Sequence, residues 1–291
     1  MSKSTAQALL SILVILAIGG AIGVAGSQGG LRVGAIPVFA LCGALSFVLN
    51  WLVFVPSYAA RTERYFDLTG SLTYLTVIAC GVVFGNRDPR ALLLALMVGL
   101  WALRLGSFLF ARIRRDGVDR RFDVLKQDFA RFLLTWTLQG LWVFLTVSCA
   151  LAAIAAAETV SLGPLAALGA AVWSAGFAIE AVADRQKAAF RADPANRDHF
   201  IDTGLWAWSR HPNYCGEIVL WIGAALVALP ALSGWQYVTL ISPLFVYVLL
   251  TRISGVPLLE ARSDKKWGDD SDYQAYKART PVLWLRPPAS T

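Results

Sequence analysis

Apolar residues in this chain come in unbroken runs rather than in alternation. Eight runs stand out, over residues 8–25, 35–56, 69–85, 91–111, 132–157, 162–183, 217–232 and 235–252. An apolar stretch of about 18 residues or more is long enough to cross a bilayer as a helix. Strands of a membrane barrel would instead alternate polar and apolar over about ten residues. The pattern predicts an all-α fold: a polytopic membrane helical bundle of seven to eight transmembrane helices with cytoplasmic loops and a C-terminal cap, one integral membrane domain over 1–291. The third run is short, and only Ser233-Gly234 separates the last two, with Pro230 just before. Those two read either as a tight hairpin or as one broken helix. The first run follows Lys3 but is longer than the apolar core of a signal peptide, and further spans follow, so it reads as a retained helix.

Composition and charge sharpen this picture. Hydrophobic residues make up 57% of the chain and charged residues 15%, well below the roughly one quarter charged of a soluble domain. If all eight runs cross, 22 of the 26 Lys and Arg fall on one side, which holds the N-terminus, 57–68, 112–131, 184–216 and the tail. The other side has only Arg32, Arg87 and Arg90, and Arg104 lies within a run. Cytoplasmic loops carry the Lys and Arg excess, so the rich side is expected in the cytoplasm. If one early run does not cross, the N-terminus moves outside and the late loops stay inside. The net charge of +7 then follows from loop chemistry and requires no nucleic-acid partner. Cys42, Cys80, Cys149 and Cys215 are scattered without metal-ligand spacing, so neither a disulfide framework nor a zinc site is expected. Gly20, Gly23 and Gly26 lie in or near the first run, where small residues allow close helix packing. The aromatic residues of 252–291 predict an interfacial cap rather than a loose tail.

Candidate chemistry concentrates in 180–217. Asp184, Lys187 and Arg191 are spaced by three and four, which places them on one helical face. That stripe offers an acceptor for ribose hydroxyls and two cations for phosphates; it also fits an ordinary solvated helix end. Ser209 to Glu217 follows, eight polar or turn-forming residues before a membrane helix. Pro212 suits a turn or helix start, Asn213 can donate and accept at once, and Glu217 stands at the helix start, where the dipole favours a carboxylate. Arg104 is a cation inside an apolar run, flanked on its face by Trp101 and Phe108. Such residues face bundle interiors, either in an ion pair, with Glu180 a possible partner, or on a ligand's phosphates. Gln139 reads as a residue bonding two helices. His199 and His211 are the only histidines. No glycine-rich dinucleotide loop follows a strand, so a nucleotide would bind without a Rossmann domain.

The stretch Gly204-Leu205-Trp206, Ser209-Arg210-His211-Pro212-Asn213-Tyr214 and Gly216-Glu217 resembles the C-terminal signature of membrane steroid 5α-reductases, sterol reductases and their bacterial relatives. So do Phe66-Asp67-Leu68-Thr69-Gly70, Trp101-Ala102-Leu103-Arg104-Leu105-Gly106, and Glu260 with Tyr273 and Tyr276. The resemblance covers most of 60–285. It implies a bundle in an inner membrane whose cytoplasmic half, 112–291, holds NADPH, with 1–111 as the substrate side. Asp184, Arg191 and Asn213 would contact the cofactor, with Glu217 nearby and His211 in a structural or cofactor role. Lys187, Arg191, Arg252 and Arg279 would meet the 2′-phosphate, with Arg104 and Tyr276 completing the set. The family's acid pair falls on Phe66 and Asp67. A tyrosine of the mammalian site falls near Trp101, a departure that leaves Tyr65 or Tyr74 to supply the phenol. The implied reaction is hydride transfer to a lipophilic, steroid-like enone, with Asp67, protonated or acting through Tyr65, stabilising the enolate. Isoprenylcysteine and phospholipid methyltransferases carry a similar Arg-His-Pro segment and tail, so S-adenosylmethionine-dependent methyl transfer is the alternative.

Overall fold

In the computed structural model of the chain, residues 3–116 and 122–288 are described; the first two residues, residues 117–121 of the basic 112–131 loop and the last three residues lie outside them. The described chain is helical almost throughout. In order it forms α1 (Lys3–Gly26), a two-residue hairpin of β1 (Arg32–Val33) and β2 (Ile36–Pro37), α2 (Val38–Ala59), α3 (Phe66–Phe84), α4 (Pro89–Asp116), α5 (Phe129–Ile154), α6 (Pro164–Ala192), α7 (Pro212–Ala228), α8 (Ile241–Val248), α9 (Val256–Trp267) and α10 (Ser271–Arg279). Eight helical stretches are long and apolar enough to span a membrane, the last running from Gly234 to Trp267. The protein is an integral membrane protein with an all-α polytopic bundle. Leu232 and Ser233 are both extended, so the last two spans are separate helices rather than one broken one.

Helix starts and ends differ from the apolar runs where polar residues still favour the helix. α6 continues nine residues past 183 because Arg, Gln, Lys and Ala are good helix formers. α7 starts at Pro212, five residues before its apolar run, because proline at the first helical position has its φ preset and forgoes an amide that would be unpaired anyway. Glu217 is therefore in the second turn and not at the helix start; no acidic residue occupies the first turn of α7. After α8 the chain takes a π-turn over Leu249–Ile253 before α9.

The chain forms two compact units, one of Met1–Ala166 with Ala225–Ser242, the other of Ala167–Ala224 with Pro243–Thr291. In the first, α5 is the core helix. Phe132, Trp136, Phe144, Leu151 and Ile154 are fully buried, as expected of a helix apolar on every side. Polar bonds fix its neighbours: Ser46 Oγ donates to the Gly140 carbonyl at 3.0 Å, Trp51 Nε1 to Thr137 Oγ1 at 3.0 Å, and Gln139 Nε2 to the Phe66 carbonyl at 2.8 Å. Gln139 thus ties α5 to α3, as the sequence predicts. Arg90 is buried, and its guanidinium donates to the carbonyls of Val160, Ser161 and Val227. Of the three first-helix glycines, Gly26 is filled by the Phe39 ring, but side chains at Gly20 or Gly23 would meet nothing within 4 Å. Among the described residues, close packing therefore accounts for Gly26 alone of the three.

In the second unit, α6 and α7 approach closely through glycines. A methyl group on Gly176 would lie 2.6 Å from the Gly216 carbonyl oxygen, and one on Gly216 would lie 2.6 Å from the Glu180 amide nitrogen. Backbone contact of this kind is the membrane-helix packing mode that only small residues allow.

Candidate functional site

The α6–α7 contact sets the distance between the polar groups above it. Asp184 is buried on α6, and Asn213, in the first turn of α7, donates its Nδ2 to Asp184 Oδ1 at 3.2 Å. Asn213 Oδ1 is buried and has no partner among the described residues. One carboxamide thus has its donor engaged by protein and its acceptor left over.

The Gly204-Leu205-Trp206 segment docks on the same helix. Gly204 has φ +61°, a left-handed turn that a glycine adopts without strain. The turn presents the Leu205 amide to Gln186 Oε1 at 3.0 Å and the Trp206 indole Nε1 to the Ala183 carbonyl at 3.1 Å. Lys187 lies over the Trp206 ring, 4.3 Å from its centre. The tail closes this segment: Tyr276 donates its hydroxyl to the Trp206 carbonyl at 2.8 Å, Ser209 Oγ donates to the Leu283 carbonyl at 2.7 Å, and the Arg210 amide donates to the Pro281 carbonyl at 2.9 Å. Burial pushes the Tyr276 phenol well above its ordinary pKa, which keeps it a neutral donor. The predicted cap is therefore packed structure.

Arg210 and His211 meet α9 through Glu260. Arg210 contacts Glu260 Oε2 at 3.0 Å, and His211 Nε2 lies 2.8 Å from Glu260 Oε1. Burial holds the His211 pKa below its ordinary value of 6.5 against the opposing pull of Glu260. The ring is neutral, and its bond to a carboxylate makes Nε2 the protonated nitrogen. Nδ1 is then a buried acceptor without a partner among the described residues. Tyr214 stacks on the imidazole at 5.7 Å and 12°. A side chain on Gly255, just past the π-turn, would lie 2.7 Å from the Tyr214 ring.

Beside these groups the second unit holds a cavity of about 600 Å³. Its walls carry the cations Lys187, Arg191, Arg197, Arg210, Arg262 and Lys266 and only two carboxylates, Asp193 and Glu260. Six aromatic rings line it as well, Trp206 and Tyr276 among them. Of the residues expected at a cofactor, Lys187, Arg191, His211 and Tyr276 line this cavity. Asp184, Asn213 and Glu217 do not; the first two are bonded to each other beside it. Arg252, exposed in the π-turn, and Arg279, exposed and paired with Asp202 at 3.3 Å, do not line it either. Arg197, Arg262 and Lys266 are cavity residues that sequence reasoning missed. Arg262 and Lys266, with Leu259, Glu260 and Ser263, follow helical spacing on one face of α9, and that periodicity was their signal.

The remaining candidates belong to the first unit. Asp67 lies half-buried in the first turn of α3. Phe66 packs edge-on against Trp136, with ring centres 5.1 Å apart. Tyr65 is exposed, whereas Tyr74 is buried edge-on against buried Trp101, at 5.0 Å. Of the two phenols, Tyr74 is thus the one beside the Trp101 position. Arg104 is half-buried within its span on α4.

A family described as a protein family of unknown function, DUF1295, matches residues 53–280. The chain belongs to the DUF1295 family. No curated protein and no solved structure matches it. The part of the chain that this DUF1295 match spans runs from α2 to the end of α10, and so takes in the cavity and both polar pairs beside it.

Proposed function

We propose that this protein is an NADPH-dependent reductase of conjugated C=C bonds in lipophilic enones, of the steroid 5α-reductase type. The observation that carries the reading is the cavity, with its six cations against two carboxylates and its aromatic planes. A phosphorylated dinucleotide is polyanionic and offers two flat rings, so it fits this lining. The leftover acceptors, His211 Nδ1 and Asn213 Oδ1, suit a ligand that brings N–H donors, as a carboxamide does. Lys187, Arg191, Arg197, Arg262 and Lys266 would hold phosphates, and the Asp184–Asn213 pair would orient the carboxamide end. When bound, the reduced nicotinamide supplies a hydride.

The chain's own residues do the rest. Glu260 balances Arg210 and fixes the His211 tautomer, and the Tyr276 bond to Trp206 holds the tail closed against water. Asp67 keeps the acid role that the resemblance gives it: protonated, it would donate a hydrogen bond to the substrate carbonyl oxygen as negative charge develops there. Tyr74 is the phenol better suited to assist, being buried beside Trp101. The proton added at the α carbon comes from water. Charge asymmetry supports a cytoplasmic cavity, and the resemblance to bacterial relatives suggests an inner membrane. The methyltransferase alternative fits the lining less well, because its cofactor brings a sulfonium cation to a cationic wall.

Calorimetric titration of the detergent-purified protein with NADPH and with S-adenosylmethionine tests the reading. NADPH should bind, Asn213→Ala should weaken it about tenfold, and NADPH should be oxidised when a 3-oxo-Δ4 steroid is added. Asp67→Ala should stop turnover and leave binding intact. Binding of S-adenosylmethionine with indifference to NADPH would overturn the proposal.

A further inference from the structure

A second cavity lies wholly in the first unit, an open groove of about 870 Å³ at the C-terminal end of α1. Its floor is Gly20, Ala21, Gly23 and Val24, and its far wall includes the Trp235 indole. Glycine in a helix interior weakens the helix relative to alanine, so a glycine that no neighbour requires needs another reason. A methyl group on Gly19 would lie 3.0 Å from the Phe47 ring, whereas one on Gly20 or Gly23 would meet nothing within 4 Å. No described residue comes close to them.

The mouth of the groove says what fits there. Arg32 is exposed there, in the short connection between two spanning helices. Its guanidinium donates to the Ala35 carbonyl of its own turn and forms no ion pair among the described residues. Residues 27–37 include no carboxylate to receive it. Trp235 is 70% exposed, yet its backbone is held in place by its amide bond to Gln28 Oε1 at 2.6 Å. Arginine and tryptophan at the end of a span sit at the level of lipid headgroups. An apolar slot that ends in an unneutralised cation at that level matches an acyl chain continued by a phosphate.

We infer that this groove holds one glycerophospholipid, its acyl chain over Gly20 and Gly23 and its phosphate on Arg32. The inference uses only first-unit residues and is independent of the proposed reductase activity. Native mass spectrometry after stepwise detergent washing, with phosphatidylglycerol as the added lipid, tests it. The wild-type protein should retain one lipid that Gly20→Leu/Gly23→Leu does not. Arg32→Gln should weaken retention about tenfold, the loss of one charge-assisted contact. Equal retention by the wild type and Arg32→Gln would overturn the inference, even if the leucine variant failed to fold. An unchanged lipid count in the leucine variant, with loss of a wild-type dimer, would overturn it in favour of a second copy of the chain.

Discussion

His211 sits at the cavity wall as a neutral ring because burial costs the imidazolium more than Glu260 returns. The sign for stability follows from that. A histidine with a lowered folded pKa contributes stability that is complete above its unfolded value of about 6.5 and is lost as pH falls through the lower folded value. The unfolding temperature in detergent should therefore hold from about pH 8 to about 7 and drop below about pH 6, and His211→Gln should remove part of that drop. Differential scanning fluorimetry across this range checks it. Arg90 makes a second prediction. Its three carbonyl contacts come from one planar fork, which a lysine cannot reproduce. Arg90→Lys should destabilise by about 2 kcal/mol or more, since buried carbonyls lose their donors, measurable by thermal unfolding against the wild type. Sequence alone singled out His211 and Asn213 because the turn-rich segment before a span marks them. It read Arg90 only as a loop cation, because its three acceptors are backbone carbonyls, two of them about 70 residues along the chain.

At the level of elements, α6 and α7 act as one support. Their glycine contact brings Asp184 and Asn213 to 3.2 Å, so a wedge below should be felt above. Gly216→Val should cost about 2 kcal/mol in stability, the scale of overpacking, and should also weaken NADPH binding although residue 216 does not line the cationic cavity. Calorimetry on the variant, with Cys215→Ser as a neighbouring control, checks this. The eight spans were legible because hydrocarbon demands long apolar helices and nothing else in the chain imitates them. Their ends were legible only outside hydropathy: Pro212 as a helix start and the 184/187/191 spacing pointed past the apolar runs, to the observed start of α7 and the run of α6 to Ala192.

For the whole molecule, charge is the property that carries furthest. A cavity with six cations and two carboxylates binds a polyanion partly through screened Coulomb attraction. NADPH affinity should fall about tenfold between about 0.05 and about 0.5 M salt, and NADH, lacking the 2′-phosphate, should bind more weakly and with a shallower salt slope. Titrations at several salt concentrations check both. The cationic half was legible as a Lys- and Arg-rich side. Its particular residues were only half legible, because Arg197 comes from a loop, Arg262 and Lys266 from α9, and Lys187 from α6, and only folding gathers them.

Gly255 offers a last consequence. The π-turn delivers the backbone so near Tyr214 that no side chain fits at position 255, and Tyr214 in turn lies flat on His211. The three residues form a lever: any bulk added at its far end would be passed through the phenol ring to the imidazole. Two positions some forty residues apart in the chain are thus mechanically one, and a substitution at either is only intelligible beside its counterpart.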